Sequence, residues 1–536
     1  MSENRPHRLS ARQFLDLVAD PGTFAELPHP ARESRPDGPL GWQGYDASRA
    51  RAAGRTGEAE SVVVGTARVE GTAAVLIVFE FGFLGGSLGE RTGDRLEAAY
   101  AHARGHRLPV VPLVATGGSR MQEGMLALSQ LQRVARQSAL TREAGLPQIA
   151  VLRDPTTGGG WATLGAGADV ILALPGAQVG FAGSRVRPPD ADPAAYTAQA
   201  QLAAGSADAV VPLEELKATL GLWLHLLTNP ATAPADPPDA LGDTGLGDTG
   251  LGDSGLGDTG LGDSGLGDSG LGDTGLGDTG LGDTGLGDTG LGDTGLGDTG
   301  LGDTGLGDTG LPSTGLPATG WQAVQRARSS RRPRALAYLD AWFGDRRGAL
   351  VGDRCGGADP GGMLCGFGER DGRTVAFAAQ TGTATRPAGY RTATRLIRLA
   401  DRLGIPVLTL VDTPGAANDA EAERQGVGAA IAELFGAVAS ARTPITTLVI
   451  GEGGSGGALA LAAPGNTWAT PDSYFSVIAP ELAAAILKRP PEEVEATAGQ
   501  LRIRPQDLVE LGVIRGIVGH PRNRVTAPPP PGRSPG

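Results

Sequence analysis

The sequence is poor in cysteine, since only Cys355 and Cys365 occur among its 536 residues. Two thiols ten positions apart cannot build a disulfide framework or a four-thiolate zinc ribbon, so no zinc site is expected. Their scarcity is typical of a reducing compartment, and we expect a cytoplasmic protein. The first thirty residues contain no apolar core behind a basic start, and no apolar run reaches 18 residues. Neither secretion nor a membrane span is therefore expected.

Lysine is nearly absent as well, because Lys217 and Lys488 are the only lysines among 46 basic residues. Without a G-x-x-x-x-G-K-[ST] segment, a nucleoside-triphosphate cradle is not expected. The arginines form no dense basic block, so nucleic acid is not expected as a partner. The six histidines are scattered without the spacing of metal ligands, and no metal is predicted.

The acidic charge is concentrated in a repeat. Fourteen copies of LGDTG or LGDSG run from Leu241 to Gly310, each with one Asp and no basic residue, so the net charge of -13 becomes +1 without them. One Leu per unit cannot bury a core, and we predict a disordered linker over 231–320. Calcium binding is disfavoured because the period is five residues rather than the nine of calcium-loaded β-helix repeats. The Pro-rich tail, 521–536, is also predicted to be disordered.

The linker separates an N-terminal block, 1–230, from a C-terminal block, 321–520, and the two blocks are alike. In each block, apolar strands end in glycine turns and alternate with helices, including predicted helices over 123–144 and 420–441. Strands that are apolar throughout and are separated by helices are typical of parallel sheets covered by helices. The predicted fold class is therefore α/β, in two copies.

Matched glycine turns support the duplication. Gly117 and Gly415 are 298 positions apart, and Gly158 and Gly454 are 296 positions apart. A strand that ends in glycine before a helix exposes unpaired N–H groups at the positive end of the helix dipole. Glycine also lets the backbone approach a ligand atom closely. Four such turns in two pairs predict sites that stabilise an anion.

An oxyanion hole is the interpretation that remains for these turns, because no dinucleotide fingerprint accompanies them. A serine hydrolase is an alternative, since the segment 453–457 satisfies G-x-S-x-G around Ser455. It is disfavoured because the only histidine downstream is His520, at the edge of the Pro-rich tail. No side chain stands out as a nucleophile or base. This favours a reaction in which the substrate or cofactor supplies the base and the protein supplies N–H groups.

Longer segments in both blocks follow a known pattern. The N-terminal block contains LSARQFLDLVADPGTFAEL (9–27), FGFLGGSLGERTGDRL (81–96), ATGGSRMQEGMLALSQL (115–131) and DPTTGGGWATLGAGADVILALPGAQVGFAGSRV (154–186). The C-terminal block contains GDR (352–354), RPAGYRTATRLIRLADRLGIPVLTLVDTPGA (386–416), AERQG (422–426), GEGGSGGALAL (451–461) and YFSVIAPELAAAIL (474–487). In these segments the chain resembles the β and α carboxyltransferase subunits of bacterial acetyl-CoA carboxylase, fused in one polypeptide.

The resemblance implies a fold and a reaction. It implies a crotonase-like ββα superhelix in each half, and transfer of a carboxyl group from carboxybiotin on a carrier protein to acetyl-CoA, which gives malonyl-CoA for fatty acid biosynthesis. The thioester enolate oxygen would be held by N–H groups around Gly117, Gly118, Gly158 and Gly159. The biotin ureido oxygen would face Gly415, Ala416, Gly453 and Gly454. Further cofactor contacts would be Gly456, Gly457, Arg120 and Phe181.

The resemblance also implies partners. The chain has no Met-Lys-Met biotin site, so a biotin carboxyl carrier protein and a separate biotin carboxylase are expected. A homo-oligomer is expected because sites in this family form between an N-type and a C-type half, commonly of different protomers. The long linker leaves pairing within one chain open as an alternative. The chain departs from the family in lacking the zinc ribbon, in the shorter segment 417–419, and in the lack of a basic residue at 380–382.

Three other functions stay open from the sequence alone. One is a carboxyltransferase for propionyl-CoA or another acyl-CoA. A second is a biotin-independent crotonase-like hydrolase or decarboxylase. The third is a non-catalytic scaffold in which the repeat tethers two lobes that bind partners.

Overall fold

Two sheets organise the protein, one in each half. The computed structural model describes residues 8–33, 35–242 and 315–519. Predictions for the repeat between 243 and 314 and for the Pro-rich tail therefore lie outside the described residues. The N-terminal half contains strands β1 (Ala25–Glu26), β2 (Val62–Val69), β3 (Thr72–Phe79), β4 (Val110–Thr116), β5 (Ile149–Thr157), β6 (Val170–Ala173), β7 (Val179–Gly180) and β8 (Ala209–Val210). Its helices are α1 (Ala11–Val18), α2 (Tyr45–Thr56), α3 (Glu90–His106), α4 (Gly124–Glu143), α5 (Gly158–Gly160), α6 (Ala198–Ala203) and α7 (Leu216–Thr228).

The C-terminal half repeats this alternation of strands and helices. Its strands are β9 (Arg347–Ala349), β10 (Met363–Arg370), β11 (Arg373–Gln380), β12 (Val407–Thr413), β13 (Ile445–Gly454), β14 (Thr467–Ala469), β15 (Tyr474–Ser476) and β16 (Gly516–Ile517). Its helices are α8 (Gly320–Arg328), α9 (Ala335–Phe343), α10 (Pro387–Leu403), α11 (Ala420–Arg424), α12 (Val427–Ser440), α13 (Ser455–Leu459), α14 (Pro480–Ile486), α15 (Val494–Gln500) and α16 (Pro505–Glu510).

The two sheets have the same topology. The first has the order β1-β2-β3-β4-β5-β6-β8 with β7 paired to β5, and the second has the order β9-β10-β11-β12-β13-β14-β16 with β15 paired to β13. An antiparallel hairpin, β2-β3 or β10-β11, leads into parallel strands in both. The central strands are buried throughout, as β4 and β12 show. The predicted duplicated α/β fold is confirmed.

The structure gives the sequence offset between equivalent elements of the two halves. Strands β4 and β12 are both seven residues long, and helices α3 and α10 are both 17 residues long. Each pair begins 297 positions apart, which lies between the offsets of 298 and 296 expected from the glycines. The predicted helix over 123–144 is confirmed as α4. The helix predicted over 420–441 is wrong as one element, because Gly426 adopts a left-handed conformation with φ 75° and separates α11 from α12.

Both ends of the predicted linker are folded. The N–H of Ala231 donates to the carbonyl of Thr374 at 3.0 Å, and the Thr446 hydroxyl donates to the carbonyl of Ala235 at 2.7 Å. Ala235 is buried against the second sheet. At the other end, Thr319 caps α8. The disorder predicted for 231–242 and 315–320 is therefore wrong, because hydrogen bonds to the C-terminal half hold both segments.

Helix α7 joins the two halves through a common core. It belongs to a buried apolar cluster that draws strand residues from both sheets. Trp223 on α7 meets the Phe367 ring edge-on, with ring centroids 6.2 Å apart. His225 on the same helix lies 2.9 Å from the carboxylate of Glu369. Within the described residues, no helix is both long enough and apolar enough to cross a membrane.

Candidate active site

A left-handed glycine follows the second parallel strand of each half. Gly118 after β4 has φ 107°, and Gly415 after β12 has φ 147°, a region that favours glycine. The N–H of Gly118 donates to the Thr116 hydroxyl at 3.0 Å, and that of Gly415 donates to the Thr413 hydroxyl at 3.2 Å. The two turns are 297 positions apart and are built alike. Gly415 is thus matched by Gly118 rather than by Gly117.

The residue after each of these glycines presents its N–H on the opposite side of the loop. Leu88 donates its N–H to Gly118 and accepts one from Arg120, both at 2.9 Å. Such a parallel bridge uses the backbone groups on either side of Ser119 and leaves the Ser119 N–H pointing away from Leu88. Around Ala416, Thr385 makes the same bridge with Gly415 and Ala417. The N–H groups of Ser119 and Ala416 are therefore equivalent candidates for oxyanion donors.

The third parallel strand of each half supplies the second turn. Gly158 begins α5 with φ 63°, and Ser455 begins α13 with φ 60°, again 297 positions apart. The next residues, Gly159 and Gly456, lie in the first turn of their helices, where no earlier helical residue supplies an acceptor. Each half therefore combines one N–H from a loop with one N–H from a helix start.

The structure corrects several predicted donors. In the N-terminal half the N–H of Gly117 donates to Gly85, that of Gly118 to Thr116, and that of Gly158 to Phe181. In the C-terminal half Gly415 donates to Thr413, whereas Gly453 and Gly454 are strand residues of β13 paired with β15. The predicted site residues whose N–H groups stay available are Gly159, Ala416 and Gly456, the last of which was predicted as a cofactor contact. Ser119 was not predicted. The left-handed residues Gly118, Gly158, Gly415 and Ser455 mark the turns, whereas the free N–H groups belong to the residues that follow them.

The paired turns approach each other backbone to backbone. A Cβ on Gly158 would lie 3.2 Å from the Cα of Gly118, and a Cβ on Gly457 would lie 2.7 Å from the N of Ala416. Gly457, predicted as a cofactor contact, therefore allows α13 to approach the Ala416 loop. A Cβ on Gly457 would also overlap the Tyr390 hydroxyl. Any larger residue would separate the two N–H donors.

A buried ion pair supports the N-terminal turn. Arg120 is 1% exposed, pairs with Glu60 at 2.5 Å, and donates to the carbonyl of Ser87 at 2.7 Å. Burial opposes ionisation of Glu60, but the Arg120 guanidinium holds the pKa of Glu60 below its ordinary value. The Tyr45 hydroxyl accepts from Arg120 at 3.1 Å. Arg120 was predicted as a cofactor contact, but it is enclosed by protein and positions the 84–88 loop instead.

Two uncharged side chains, Gln380 and Tyr390, lie beneath the C-terminal turn. Gln380, which is fully buried, donates from Nε2 to the carbonyl of Gly457 at 3.1 Å. The Tyr390 hydroxyl is buried and makes no hydrogen bond of ordinary geometry with any of the described residues. Burial raises the pKa of Tyr390, so this hydroxyl stays protonated. The shortened segment 417–419 ends in Asp419, which caps α11 and pairs with Arg386 at 2.8 Å.

Exposed apolar side chains surround both pairs of turns. Phe181, a predicted cofactor contact, is 75% exposed, and its carbonyl accepts from Gly158. Met121, in the loop after Arg120, is 70% exposed. In the C-terminal half, Val477 follows β15 and is 71% exposed. Both pairs of turns thus open onto surfaces that are apolar enough to contact a ligand or another chain.

The two halves of one chain meet where the parallel strands of the first sheet begin, at the end of the sheet opposite these turns. Arg402 donates to the carbonyl of Leu146 and pairs with Asp169 at 2.7 Å, and Arg395 pairs with Asp208 at 3.1 Å. These partners precede β5, β6 and β8, whereas the glycine turns follow β4 and β5. Strand β5 has nine residues, so its two ends, one at the interface and one at the glycine turn, lie roughly 30 Å apart. The N-terminal turns therefore face away from the interface within the chain.

Comparison with known proteins decides the family. Residues 41–208 match the carboxyl transferase domain family, and residues 317–527 match the family described as acetyl co-enzyme A carboxylase carboxyltransferase-like. The acetyl-coenzyme A carboxylase carboxyl transferase subunits beta/alpha of Salinispora arenicola are 36% identical over 542 residues, which is 98% of this chain and 84% of that protein. This chain belongs to the acetyl-CoA carboxylase carboxyltransferase β/α family. The protein of the same name from a Parafrankia species is 36% identical over 532 residues, 96% of this chain and 79% of that protein.

A solved carboxyltransferase structure has the same fold. Transcarboxylase 12S, with methylmalonyl-coenzyme A and methylmalonic acid bound, matches with a TM-score of 0.68 at 18% identity. The match covers 95% of this chain and 87% of that chain. Both halves of this carboxyltransferase therefore have the predicted crotonase-like fold, and the predicted family is confirmed.

Proposed function

We propose that this carboxyltransferase moves a carboxyl group from carboxybiotin, carried by a biotin carboxyl carrier protein, to acetyl-CoA, which yields malonyl-CoA and biotin. One observation carries the proposal: the two halves present matching pairs of backbone N–H groups at the ends of parallel strands. A reaction between a thioester and a ureido ring creates negative charge on one oxygen of each partner. Two separate oxyanion holes suit that chemistry.

The N-terminal pair of turns takes the acyl-CoA side in this proposal. The N–H groups of Ser119 and Gly159 hold the thioester oxygen as the enolate forms. The ion pair of Arg120 and Glu60 keeps the loop before Leu88 in place, so the donors are oriented before substrate arrives. Phe181 at the rim supplies apolar contact and excludes water.

The C-terminal pair takes the biotin side. The N–H groups of Ala416 and Gly456 face the ureido oxygen. Carboxybiotin supplies the carboxyl group and the base that accepts the α-proton. The residues beneath this turn fit that assignment, because Gln380 and Tyr390 add no charge that would compete for the proton.

A serine hydrolase is not supported around Ser455. The described histidines, His29, His102, His106 and His225, all belong to the N-terminal half. His225 contacts Glu369, and His102 stacks on His106 along α3. None of the described histidines contacts Ser455, so within the described residues no imidazole is placed to act as its base. His520 lies outside the described residues.

The exchange reaction tests the proposal. Purified full-length protein is incubated with labelled malonyl-CoA and biocytin, and carboxyl transfer to biocytin is measured. We expect exchange that depends on both substrates and is fastest with malonyl-CoA among malonyl-, methylmalonyl- and longer carboxyacyl-CoAs. Hydrolysis or decarboxylation of the thioester without biocytin would favour a biotin-independent enzyme instead. Binding of both partners without any turnover would favour a scaffold.

We also propose that a working site forms between the N-terminal half of one copy and the C-terminal half of another. The turns of the N-terminal half face away from the C-terminal half of the same chain. Exposed apolar side chains lie beside the turns of each half, Met121 in the N-terminal half and Val477 in the C-terminal half. A symmetric homo-oligomer would cover these surfaces and bring the two kinds of oxyanion hole together. A biotin carboxylase partner and a cytoplasmic location stay predictions from the sequence.

Complementation between two inactive chains tests this arrangement. Ser119→Pro removes one N–H donor from the N-terminal hole, and Ala416→Pro removes one from the C-terminal hole. After the two variants are dissociated and reassembled together, random pairing restores about a quarter of the sites if each site draws its halves from two copies. Reassembly of each variant alone is the control. Failure of the mixture to recover activity, with mixed oligomers demonstrated by tags, would contradict sharing between copies.

A further inference from the structure

Six arginines line a groove between the two halves, where the parallel strands of the first sheet begin, at the end opposite the glycine turns. The groove has a volume of about 500 Å³, within the range of small-molecule sites. The N-terminal half supplies one arginine and the C-terminal half supplies five: Arg142, Arg354, Arg391, Arg395, Arg398 and Arg402. The carboxyl-transfer chemistry uses none of them.

The groove has more positive than negative charge. Four carboxylates pair with the six guanidinium groups. The pairs are Asp169 with Arg142 and Arg402, Asp208 with Arg354 and Arg395, Asp353 with Arg391, and Glu433 with Arg398. Two positive charges are left without a matching carboxylate within this set. Asp208 is fully buried and is shared between two guanidinium groups 2.5 and 3.1 Å away, so its charge is divided.

Arg354 is held in place, but its protein partners compensate only part of its charge and hydrogen-bonding capacity. Its backbone has φ 62°, an uncommon conformation for a residue with a side chain. Its Nε is buried and has no hydrogen-bond partner in the part of the chain that the structure describes. Burial lowers the pKa of Arg354 and the charge of Arg395 lowers it further, although Asp208 acts in the opposite direction. An added anion would stabilise the charged form of Arg354.

The chemistry of the lining narrows the ligand. A guanidinium group donates two parallel hydrogen bonds that match phosphate oxygens. Among the described residues, the side chains that line the groove include no aromatic ring on which a base could stack. We propose that this groove binds a small phosphorylated anion, through its diphosphate or phosphate-ester group, and that the bound anion bridges the two halves. The site is separate from the proposed acyl-CoA and biotin sites.

Calorimetric titration of the full chain with inorganic pyrophosphate tests the proposal. The variant Arg142→Gln/Arg398→Gln removes the groove arginines that are 38% and 59% exposed, whose ion pairs contribute little to folding. The control Arg346→Gln/Arg442→Gln removes two exposed arginines elsewhere. We expect saturable binding of one pyrophosphate per chain, at least tenfold weaker in the groove variant and unchanged in the control.

Thermal unfolding gives an independent readout. A ligand that binds only the folded chain raises its melting temperature. Saturating pyrophosphate should therefore raise the melting temperature of the parent and the control by several degrees, and that of the groove variant by less. If the double variant does not fold, Arg398→Gln alone replaces it. Absence of saturable binding, or equal binding by groove and control variants at matched ionic strength, would overturn the proposal.

Discussion

The two glycine-turn sites share a backbone and differ in what supports it. In both, a left-handed glycine anchors to a threonine two residues earlier, and the next N–H is left free. Beneath the N-terminal turn lies the charged pair of Arg120 and Glu60, whereas Gln380 and Tyr390 lie beneath the C-terminal turn. The buried charged pair of the C-terminal half, Arg332 with Asp412, lies at the end of β12, one residue before the anchoring threonine. Gly93, the fourth residue of α3, occupies the place that Tyr390 has in α10. Duplication thus preserved the N–H geometry and let the supporting side chains diverge.

Loss of the charged support should have the largest effect on stability. Arg120→Met leaves the Glu60 carboxylate buried and unpaired, and removal of one partner from a buried ion pair costs about 3–5 kcal/mol of the free energy of unfolding. Denaturant unfolding measures this cost. The control is Arg133→Met on α4, whose ion pairs are partly exposed and should contribute about 0–1 kcal/mol.

A second change separates charge from shape at the same place. In Arg120→Met/Glu60→Gln the buried charge is removed with its partner, so part of the lost stability should return. If the double variant is as unstable as Arg120→Met alone, the packing of the arginine stem matters more than the ion pair. The support of the N-terminal turn would then resemble that of the C-terminal turn.

Removal of one N–H donor from either oxyanion hole should lower turnover and leave the N–H donors of the other hole in place. Ser119→Pro and Ala416→Pro are each expected to lower the exchange rate about 10²–10³-fold, as loss of one oxyanion donor does. Ser119→Ala and Ala416→Ser keep the N–H and serve as controls with near-normal rates. Circular dichroism checks that the proline variants fold. A normal rate in a folded proline variant would remove that N–H from the mechanism.

The Asp208 carboxyl at the interface between the halves makes the stability of the fold depend on pH. Burial opposes ionisation of Asp208, but Arg395 and Arg354 lower its pKa below the ordinary value. A carboxyl group whose pKa is lowered in the folded state stabilises the fold above its ordinary pKa of about 4, and this stability is lost as the pH falls through the folded-state value. The melting temperature should therefore fall as the pH drops below about 4. In Asp208→Asn that acid-dependent part should be smaller, even though the variant is less stable at neutral pH.

The sequence predicted the fold and the positions of the glycine turns better than it predicted which N–H groups the turns leave free. Apolar strands that end in glycine locate β4, β5, β12 and β13, because burial and turn chemistry act locally. The free N–H groups depend on how Leu88 and Thr385 bridge their loops, which is a contact across the fold. The role of Arg120 likewise depends on Glu60, which is sixty positions away in sequence. No local signal identifies either contact.

The smallest expected effect tests the neutral support of the C-terminal turn. The Tyr390 hydroxyl is buried without an ordinary hydrogen bond, so Tyr390→Phe should change the free energy of unfolding by less than about 1 kcal/mol. Gly457→Ala tests the same contact from the other side, since its Cβ would collide with this hydroxyl and with the Ala416 N. The double variant Tyr390→Phe/Gly457→Ala keeps only the collision with Ala416. If its carboxyl-exchange rate equals that of Gly457→Ala alone, the strain lies at the Ala416 N–H donor. Faster exchange in the double variant would show that the hydroxyl, rather than the backbone, limits the approach of α13.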